Sequence, residues 1–231
     1  MAQFDLSVVT TGEFRQWLVS GFLLSLRLAA LTWILSLPLA TAVALARLSS
    51  AWPLRWLGAA FVEGIRNVPL LVHLLFWYFV VPELLPEAQR TWLYNHNAES
   101  VCALIALTLY TSCYMAEDIR SGIRTVPVVQ LEAARALGFG FFASMRRVVL
   151  PQAVRIVVPP LLSQTLDLWK NTSIATVIGT AELMYQAQRV ETASFRGAET
   201  FGVTTLAYLS VSLAITGIAV LFQRSFPARP T

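Results

Sequence analysis

One stretch of the sequence carries several polar side chains inside an otherwise apolar segment. At 100° per residue along a helix, these side chains fall within a sector of about 120°. The residues of this polar stripe are Ser163, Gln164, Asp167, Lys170 and Asn171. Polar groups at the depth of a bilayer must face protein or water rather than acyl chains. Two interpretations are therefore open: a buried polar seam between helices, or the lining of a pathway for a polar solute.

Two further charged residues lie inside or at the edge of apolar runs. Glu117 precedes Arg120 and Arg124 by three and seven positions, so an ion pair at a helix end is one interpretation. Arg27 lies in the outer third of the first apolar run, where a snorkelling side chain is the alternative to a charge that faces a ligand. Both residues are candidates for a solute pathway, together with the polar stripe.

The sequence contains no arrangement of residues that is typical of an enzyme. The phosphate-binding motif G-x-x-x-x-G-K-[ST] is absent, and the single lysine, Lys170, is followed by an asparagine. His73 and His96 are isolated, so they predict no zinc site, and there is no G-x-S-x-G nucleophile motif. We therefore expect no catalytic residue and no metal site in this chain.

The composition indicates a membrane protein rather than an apolar soluble domain. Of 231 residues, 56% are hydrophobic and 13% are charged, whereas soluble domains contain about 25% charged residues. A spanning helix needs roughly 20 mainly apolar residues. Five runs meet this length: Gly21–Ala46, Leu57–Val81, Val101–Ile119, Val154–Thr180 and Val203–Phe222.

The basic residues are distributed unevenly between the loops. The loop between the third and fourth runs contains Arg120, Arg124, Arg135, Arg146, Arg147 and Arg155. Because cytoplasmic loops collect basic residues, this asymmetry places that loop and the C-terminus inside and the N-terminus outside. The sequence has no continuous basic face, which argues against nucleic-acid binding.

Local signals predict where helices bend, and how the cysteines are used. We expect a break or kink near Pro69, and Pro159-Pro160 is expected to interrupt the fourth run. Cys102 and Cys113 lie eleven positions apart in one predicted helix, about 16 Å along its axis. That distance is too long for a disulfide, so both are expected to be small core residues.

The chain is expected to form one membrane domain with short ends. Phe14, Trp17 and Leu18 follow helical spacing and predict a short amphipathic helix at the outer interface. The predicted parts are an N-terminal segment over 1–20, a transmembrane domain over 21–225 with a loop at 120–152, and a tail over 226–231.

A docking helix for a soluble partner is predicted inside this loop. Pro127 can open a helix and Gly138 can end it. Between them, small Ala133 and Ala134 would let a partner approach closely, and Glu132 and Arg135 would supply polar contacts. Beyond Gly138, an apolar face is expected to lie under the bundle; it consists of Phe141, Phe142, Met145, Val148 and Val149.

Several segments, in this order, resemble the permease subunits of bacterial ABC importers for polar amino acids, the histidine/glutamine/glutamate permease family. The resemblance covers roughly residues 16–225. Its most specific segments are Tyr114-Met115-Ala116-Glu117, Gly122-Ile123, Pro127, Gln130-Leu131-Glu132-Ala133-Ala134, Leu137-Gly138, Leu150-Pro151-Gln152-Ala153, Pro159-Pro160 and Lys170-Asn171-Thr172-Ser173. Val129 departs from the family, which often has glycine before this glutamine.

The resemblance implies an all-α membrane protein with five transmembrane helices in the bacterial cytoplasmic membrane. Such a subunit pairs with an identical or paralogous permease, and each permease docks one subunit of an ATPase dimer. The docking element would be the coupling helix, with Glu132, Ala133, Ala134, Arg135 and Gly138. The partner ATPase would bind ATP and Mg²⁺, so this chain would need no cofactor. An extracytoplasmic binding protein would deliver the amino acid.

A finer resemblance concerns the substrate. The segments Arg66-Asn67-Val68-Pro69-Leu70, Trp77-Tyr78, Pro82-Glu83-Leu84-Leu85-Pro86-Glu87 and Val158-Pro159-Pro160 are similar to permeases of glutamate/aspartate systems. Lys170 or Arg27 would suit an acidic substrate, whereas Asp167 would not. Glutamate or aspartate is therefore expected, with glutamine or another polar amino acid as the alternative. A stand-alone secondary transporter and a membrane-embedded enzyme are the alternatives from other classes.

Overall fold

The computed structural model describes residues 5–225, and all regular structure in that range is helical. The predicted all-α fold is therefore confirmed. The predicted tail, residues 226–231, lies outside the described residues. In chain order the helices are α1 Ser7–Thr10, α2 Gly12–Leu48, α3 Trp52–Arg66, α4 Leu70–Leu75, α5 Val81–Leu84, α6 Glu87–Asn95, α7 Ala98–Thr125, α8 Val128–Ala136, α9 Phe141–Ser144, α10 Leu150–Asn171, α11 Leu183–Ser194 and α12 Gly197–Ser225, with π-helical turns at Phe76–Val80 and Met145–Val149 and a 3₁₀ helix at Thr172–Ile178.

Helix α2 is longer than the sequence predicts. Its 37 residues extend over about 56 Å, whereas a bilayer core is about 30 Å thick. It contains the predicted span Gly21–Ala46 and also Phe14 and Trp17, so the prediction of a separate short helix at these aromatic residues was wrong. Gly21 lies inside α2, at a point where the helix packs closely against another segment. A Cβ atom at Gly21 would lie 2.9 Å from the carbonyl oxygen of Glu182.

The predicted second span, Leu57–Val81, is not one straight helix. Helix α3 and the segment Leu70–Leu84 meet at 99°, next to Pro69 as expected. Proline has no N–H to donate to the carbonyl four residues earlier, which here belongs to Ile65. His73 Nε2 lies 3.0 Å from that carbonyl oxygen and donates a hydrogen bond to it. The N–H of Val68 donates to the same carbonyl at 3.2 Å, so a backbone group and a side chain from beyond the bend together satisfy it.

Helix α10 passes through the two prolines that were expected to interrupt it. It runs from Leu150 to Asn171, and Pro159 and Pro160 both lie inside it. The prediction of an interruption was wrong: the φ angle of proline suits a helix, and neither the lost backbone hydrogen bonds nor the crowding of the rings against the preceding turn ends this one. Membrane helices tolerate such a loss. The α-helical geometry ends at Asn171, and the following 3₁₀ helix leads to the left-handed Gly179.

The described helices include several that suit a membrane. Helices α2, α7 and α12 are long and apolar enough to cross one, and α3 with Leu70–Leu84 makes a fourth if the bent pair is one span. Helix α10 is not among them. On α12, Leu206, Leu213 and Leu221 are 64%, 61% and 64% exposed. Exposed apolar surface of this kind suits lipid or another protein.

Helix α7 lies at the centre of the bundle, where it packs against α2, α3, α4 and α10. Its inward side chains are mostly small, which lets these helices approach closely. The fully or almost fully buried small residues of α7 include Cys102, Ala103, Ala106, Cys113 and Ala116. Both cysteines are free and buried, as the sequence predicts.

Helices α7 and α10 approach each other closely at Gly122. A Cβ atom added there would lie 2.2 Å from Cγ2 of Val157, which is far inside van der Waals contact. Gly122 is therefore required by packing between the two helices that lead into and out of the docking loop.

We expect Gly122→Ala to lower the midpoint of thermal unfolding of the detergent-purified protein. Alanine ordinarily favours a helix over glycine by about 1 kcal/mol, but the clash with a stiff valine costs about 1–3 kcal/mol. Adding Val157→Ala should restore the midpoint to that of Val157→Ala alone. Gly202→Ala, where no atom lies within 4 Å, is the matched control. A midpoint that is unchanged or raised in Gly122→Ala would contradict this account of the packing.

Candidate functional site

Helix α8 has the start and the end that the sequence predicts. Pro127 stands immediately before its first residue, and Gly138 has a φ angle of 85°. The N–H of Gly138 donates to the carbonyl of Arg135 at 2.9 Å, and the N–H of Phe139 donates to that of Ala134 at 3.1 Å. This pair of bonds is a Schellman motif, which requires a left-handed residue where Gly138 stands. The helix is thus rigidly terminated by local sequence.

Four of the five predicted docking residues lie on the surface. Glu132, Ala133, Arg135 and Gly138 are exposed. Ala134 is only 4% exposed, so its assignment to the docking surface was wrong. The side chain of Ala134 faces the protein, whereas Ala133 and Arg135 on either side of it are exposed.

The exposed surface around α8 is more apolar than the sequence predicts. Phe141 and Phe142 are 52% and 85% exposed, so the expectation that both lie under the bundle was wrong. Of the same predicted face, Val149 is buried and Met145 and Val148 are half-buried. Three further large apolar side chains are exposed: Val128, Val129 and Leu137.

Arginine side chains lie over aromatic rings at this end of the bundle. The Arg135 guanidinium is 6.0 Å from the centre of the Phe141 ring, and that of Arg147 is 5.6 Å from the Phe139 ring. Exposed aromatic and arginine side chains together are typical of protein–protein interfaces. The surface therefore fits a protein partner better than a lipid headgroup layer alone.

The polar stripe divides into an inward part and an outward part. Gln164 faces the bundle, where its amide donates to Asp118 of α7 at 3.0 Å. Ser163, Asp167 and Lys170 are exposed and Asn171 is half-exposed. The interpretation as a buried seam thus applies to Gln164, whereas for the exposed members the lining of a solute pathway stays a prediction.

Asp167 and Lys170 form an ion pair on this exposed surface. The distance from Lys170 Nζ to Asp167 Oδ1 is 2.7 Å, and the side chains are 55% and 56% exposed. Charges of both signs on a helix at membrane depth require protein or water beside them. The pair is thus open to whatever adjoins this face of α10.

Glu117 is held by arginines on two helices. Its carboxylate accepts hydrogen bonds from Arg120 at 2.7 and 3.2 Å, and it forms an ion pair with Arg47 of α2. The interpretation of Glu117 as part of a helix-end ion pair is thus the one the structure supports. Both carboxylate oxygens of Glu117 thus pair with arginines of this chain, which argues against its predicted place in a solute pathway.

Arg27 is exposed on α2 and has no ion-pair partner among the described residues. Leu23 and Leu31, one turn before and one turn after it, are 46% and 49% exposed. Arg27 thus shares a face with apolar side chains, which is typical of a snorkelling arginine beside lipid.

Sequence reasoning missed Glu182, which is fully buried. Its Oε2 accepts hydrogen bonds from Ser25 of α2 at 3.2 Å, from Tyr208 of α12 at 2.9 Å and from the N–H of Met184 at 3.0 Å. Its Oε1 accepts from the N–H of Tyr185 at 2.9 Å. Burial raises the pKa of the Glu182 carboxyl above its ordinary value, although these hydrogen bonds act in the opposite direction. The only local signal was an acceptor side chain directly before a helix.

Arg47 was missed as well. Its partner Glu117 lies 70 positions away, and spacing along the chain cannot reveal such a pair. No group of three or more histidine, cysteine, aspartate or glutamate side chains within residues 5–225 could hold a metal ion.

Comparisons with known proteins agree over nearly the whole chain. A family model described as "Binding-protein-dependent transport system inner membrane component" matches residues 16–229. A relative from Bacillus subtilis (strain 168), named "Probable glutamine ABC transporter permease protein GlnM", is 38% identical over 207 residues, which are 89% of this chain and 92% of the relative. The glutamate/aspartate import permease protein GltJ of Escherichia coli (strain K12) is 33% identical over 212 residues, covering 90% and 86% of the two chains.

A solved structure matches as well. The crystal structure of an amino acid ABC transporter with histidines superposes with a TM-score of 0.84 at 29% identity, covering 97% of this chain and 100% of the other.

We expect Glu182→Gln to lower the thermal midpoint of the purified protein. In either orientation of the glutamine amide, its NH₂ group would face an N–H or O–H group that donates a hydrogen bond to the carboxylate in the wild-type protein. A buried donor left without its partner costs about 1–3 kcal/mol. Glu87→Gln, at an exposed position on α6, is the control and should leave the midpoint unchanged. Equal midpoints for the two variants would show that the Glu182 carboxylate is not required for the packing of α2, α11 and α12.

Proposed function

The chain belongs to the family of binding-protein-dependent transport system inner membrane components, and from this premise we propose that it is the membrane-spanning permease subunit of an ATP-driven importer of polar amino acids. The relatives named above are amino-acid ABC transporter permeases, which supports this substrate class. The chain itself would not be an enzyme, since ATP and Mg²⁺ would be bound and hydrolysed by a partner subunit.

The observation that carries the proposal is the exposed docking helix. Helix α8 lies between α7 and α10, which pack against each other, and its ends are fixed by Pro127 and by Gly138. A secondary transporter that works alone has no need of a rigid, exposed helix with arginine and aromatic side chains around it. A subunit driven from outside has such a need, because force must enter through a defined contact.

We propose three kinds of protein partner. An ATPase dimer docks on the α8 surface, one ATPase subunit for each permease. A second permease, identical or paralogous, lies opposite the exposed part of the polar stripe across the solute pathway, so that these side chains do not face acyl chains. An extracytoplasmic binding protein delivers the amino acid at the opposite end. Nucleotide drives the cycle only if it binds one orientation of the assembly more tightly than the other.

The same proposal sets the orientation in the bacterial cytoplasmic membrane. The loop that contains α8 holds six of the sixteen arginines if it is counted as residues 120–155, and basic loops stay inside. The ATPase would then lie in the cytoplasm, where ATP is available. The N-terminus would lie outside and the C-terminus inside.

For the pathway we propose the exposed members of the polar stripe. The ion pair of Asp167 and Lys170 offers an anion and a cation 2.7 Å apart. This pairing matches the ammonium and carboxylate groups that all amino acids share, so it suits the class without selecting one side chain. Ser163 and Asn171 add uncharged hydrogen-bonding groups beside it.

Within this class we propose glutamate and aspartate as the first substrates to test and glutamine as the second. GltJ, at 33% identity, is named for glutamate and aspartate, whereas GlnM, at 38%, is named for glutamine. The charge pair is neutral overall and does not by itself favour an acidic side chain.

We expect Gly138→Val to abolish most ATP-driven amino-acid uptake in proteoliposomes while the subunit stays in the membrane. No atom lies within 4 Å of the added Cβ position, so the effect comes from the left-handed backbone, which a β-branched residue resists by about 1–2 kcal/mol or more. Gly138→Asn, which tolerates this conformation, is the matched control and should retain uptake. If both variants transport normally, the rigid end of α8 does not serve docking.

We expect Lys170→Met to reduce uptake roughly 10-fold or more, the equivalent of one charge-assisted hydrogen bond. Arg27→Met removes the same charge from a position beside exposed leucines and should leave uptake near the wild-type rate. Initial rates with labelled glutamate, aspartate and glutamine would measure both effects. Normal rates and normal substrate preference in Lys170→Met would remove the ion pair from the pathway.

A further inference from the structure

We infer that Arg47, through its ion pair with Glu117, ties α2 to the end of α7 that leads into the docking helix, so that a displacement of α8 is passed on to α2. Arg47 is in this sense a positioning residue and does not contact the solute. The meaning of this link for transport rests on the proposed function, whereas the link itself can be tested without it.

The first argument is the geometry of the carboxylate. Glu117 is held by Arg120 of its own helix at 2.7 and 3.2 Å and by Arg47 of α2. The side chains of Arg47 and Glu117 are only 15% and 20% exposed. Arg120 fixes the carboxylate on α7, and Arg47 joins that fixed group to the last turn of α2. Ion pairs shielded from solvent in this way are only weakly screened by salt.

The second argument is the space that the structure reserves for Arg47. A Cβ atom added at Gly58 of α3 would lie 2.7 Å from Cγ of Arg47 and 3.3 Å from the carbonyl oxygen of Val43. The stem of Arg47 therefore passes α3 only because residue 58 is a glycine. A surface arginine that merely keeps a loop in the cytoplasm would need no such space.

The third argument is the position of the pair along α7. Glu117 lies eight residues before the last residue of α7, Thr125, which is about 12 Å along the helix axis. Helix α8 begins three residues after Thr125, at Val128. Because little flexible chain lies between them, a movement of α8 reaches Glu117 through helical backbone.

A neighbouring contact joins the other helix that flanks the docking loop. Asp118 of α7 accepts a hydrogen bond from Gln164 of α10 at 3.0 Å, one residue beyond Glu117. Helices α2, α7 and α10 are thus connected by polar contacts at the same level of the bundle. The contact with α2 is the ionic one. Neutralising Glu117 leaves the largely buried Arg47 charge without its counterpart, whereas neutralising Arg47 leaves Glu117 paired with Arg120 of its own helix alone.

The link is tested first by a distance between spin labels. The labels are placed at Leu45→Cys on α2 and Thr125→Cys on α7, both exposed positions, with the buried Cys102 and Cys113 replaced by alanine. In the complex with its ATPase we expect a narrow distance distribution that a non-hydrolysable ATP analogue leaves unchanged. Arg47→Met should broaden or shift that distribution. Arg47→Lys, which keeps the charge, should restore most of it.

The second measurement is the amount of amino acid taken up for each ATP hydrolysed. Arg47→Met should lower this ratio roughly fivefold or more while the complex still hydrolyses ATP. Arg55→Met, which removes an exposed arginine a few residues away, is the matched control and should change neither ratio nor distance. If Arg47→Met fails to fold, Glu117→Gln and Gly58→Ala probe the same link from its other two sides.

The outcomes separate this inference from the proposed function. A narrow, unchanged distribution in Arg47→Met overturns the link, whether or not the chain transports amino acids. A broadened distribution with a normal ratio of uptake to hydrolysis overturns its role in coupling. If the wild-type complex neither hydrolyses ATP in response to an amino acid nor imports one, the proposed function is wrong and the coupling role is rejected with it.

Discussion

The constraint on which this structure depends is that an apolar surrounding offers no hydrogen bonds, so that polar groups must be paired within the protein. Helix α2 illustrates it. Ser25 donates to the buried carboxylate of Glu182, and Arg47 pairs with Glu117. Ser25 and Arg47 are 22 positions apart, or about 33 Å along α2, which is close to the thickness of a bilayer core. Between these two levels, Trp33 donates to Thr165 of α10 at 3.0 Å and Ser36 donates to the carbonyl of Thr108 of α7 at 3.1 Å. The long helix is thus held by polar contacts at several levels.

The same constraint explains how irregular backbone is accommodated. At the bend after α3, the carbonyl of Ile65, to which Pro69 cannot donate, accepts hydrogen bonds from the N–H of Val68 and from His73. At the other extreme, Asp167 and Lys170 are paired with each other and yet exposed. Satisfied polar groups inside the bundle therefore indicate joints between helices, and the exposed ion pair on α10 belongs to the surface for which we propose a solute pathway.

Local features could be predicted from the sequence, and features formed by distant residues could not. Pro127 and Gly138 defined α8 because helix ends depend on a few neighbouring residues, and the break at Pro69 followed from one missing N–H. The burial of Ala134, the exposure of Phe142 and the ion pair of Glu117 with Arg47 depend on packing between segments far apart in sequence. The prediction at Pro159 and Pro160 was wrong for a related reason. A local rule treats the lost backbone hydrogen bonds as an interruption, but the surrounding helix tolerates them.

The central claim is that this chain is moved by a separate ATPase that docks at α8. The most direct measurement is the ATPase activity of the complex purified through this chain under mild detergent and reconstituted with its binding protein, with glutamate, aspartate, glutamine and arginine added singly. We predict that an ATPase co-purifies and that glutamate or aspartate stimulates it, while stimulation by glutamine alone would keep the importer and change its substrate. The absence of any co-purifying ATPase would contradict the claim.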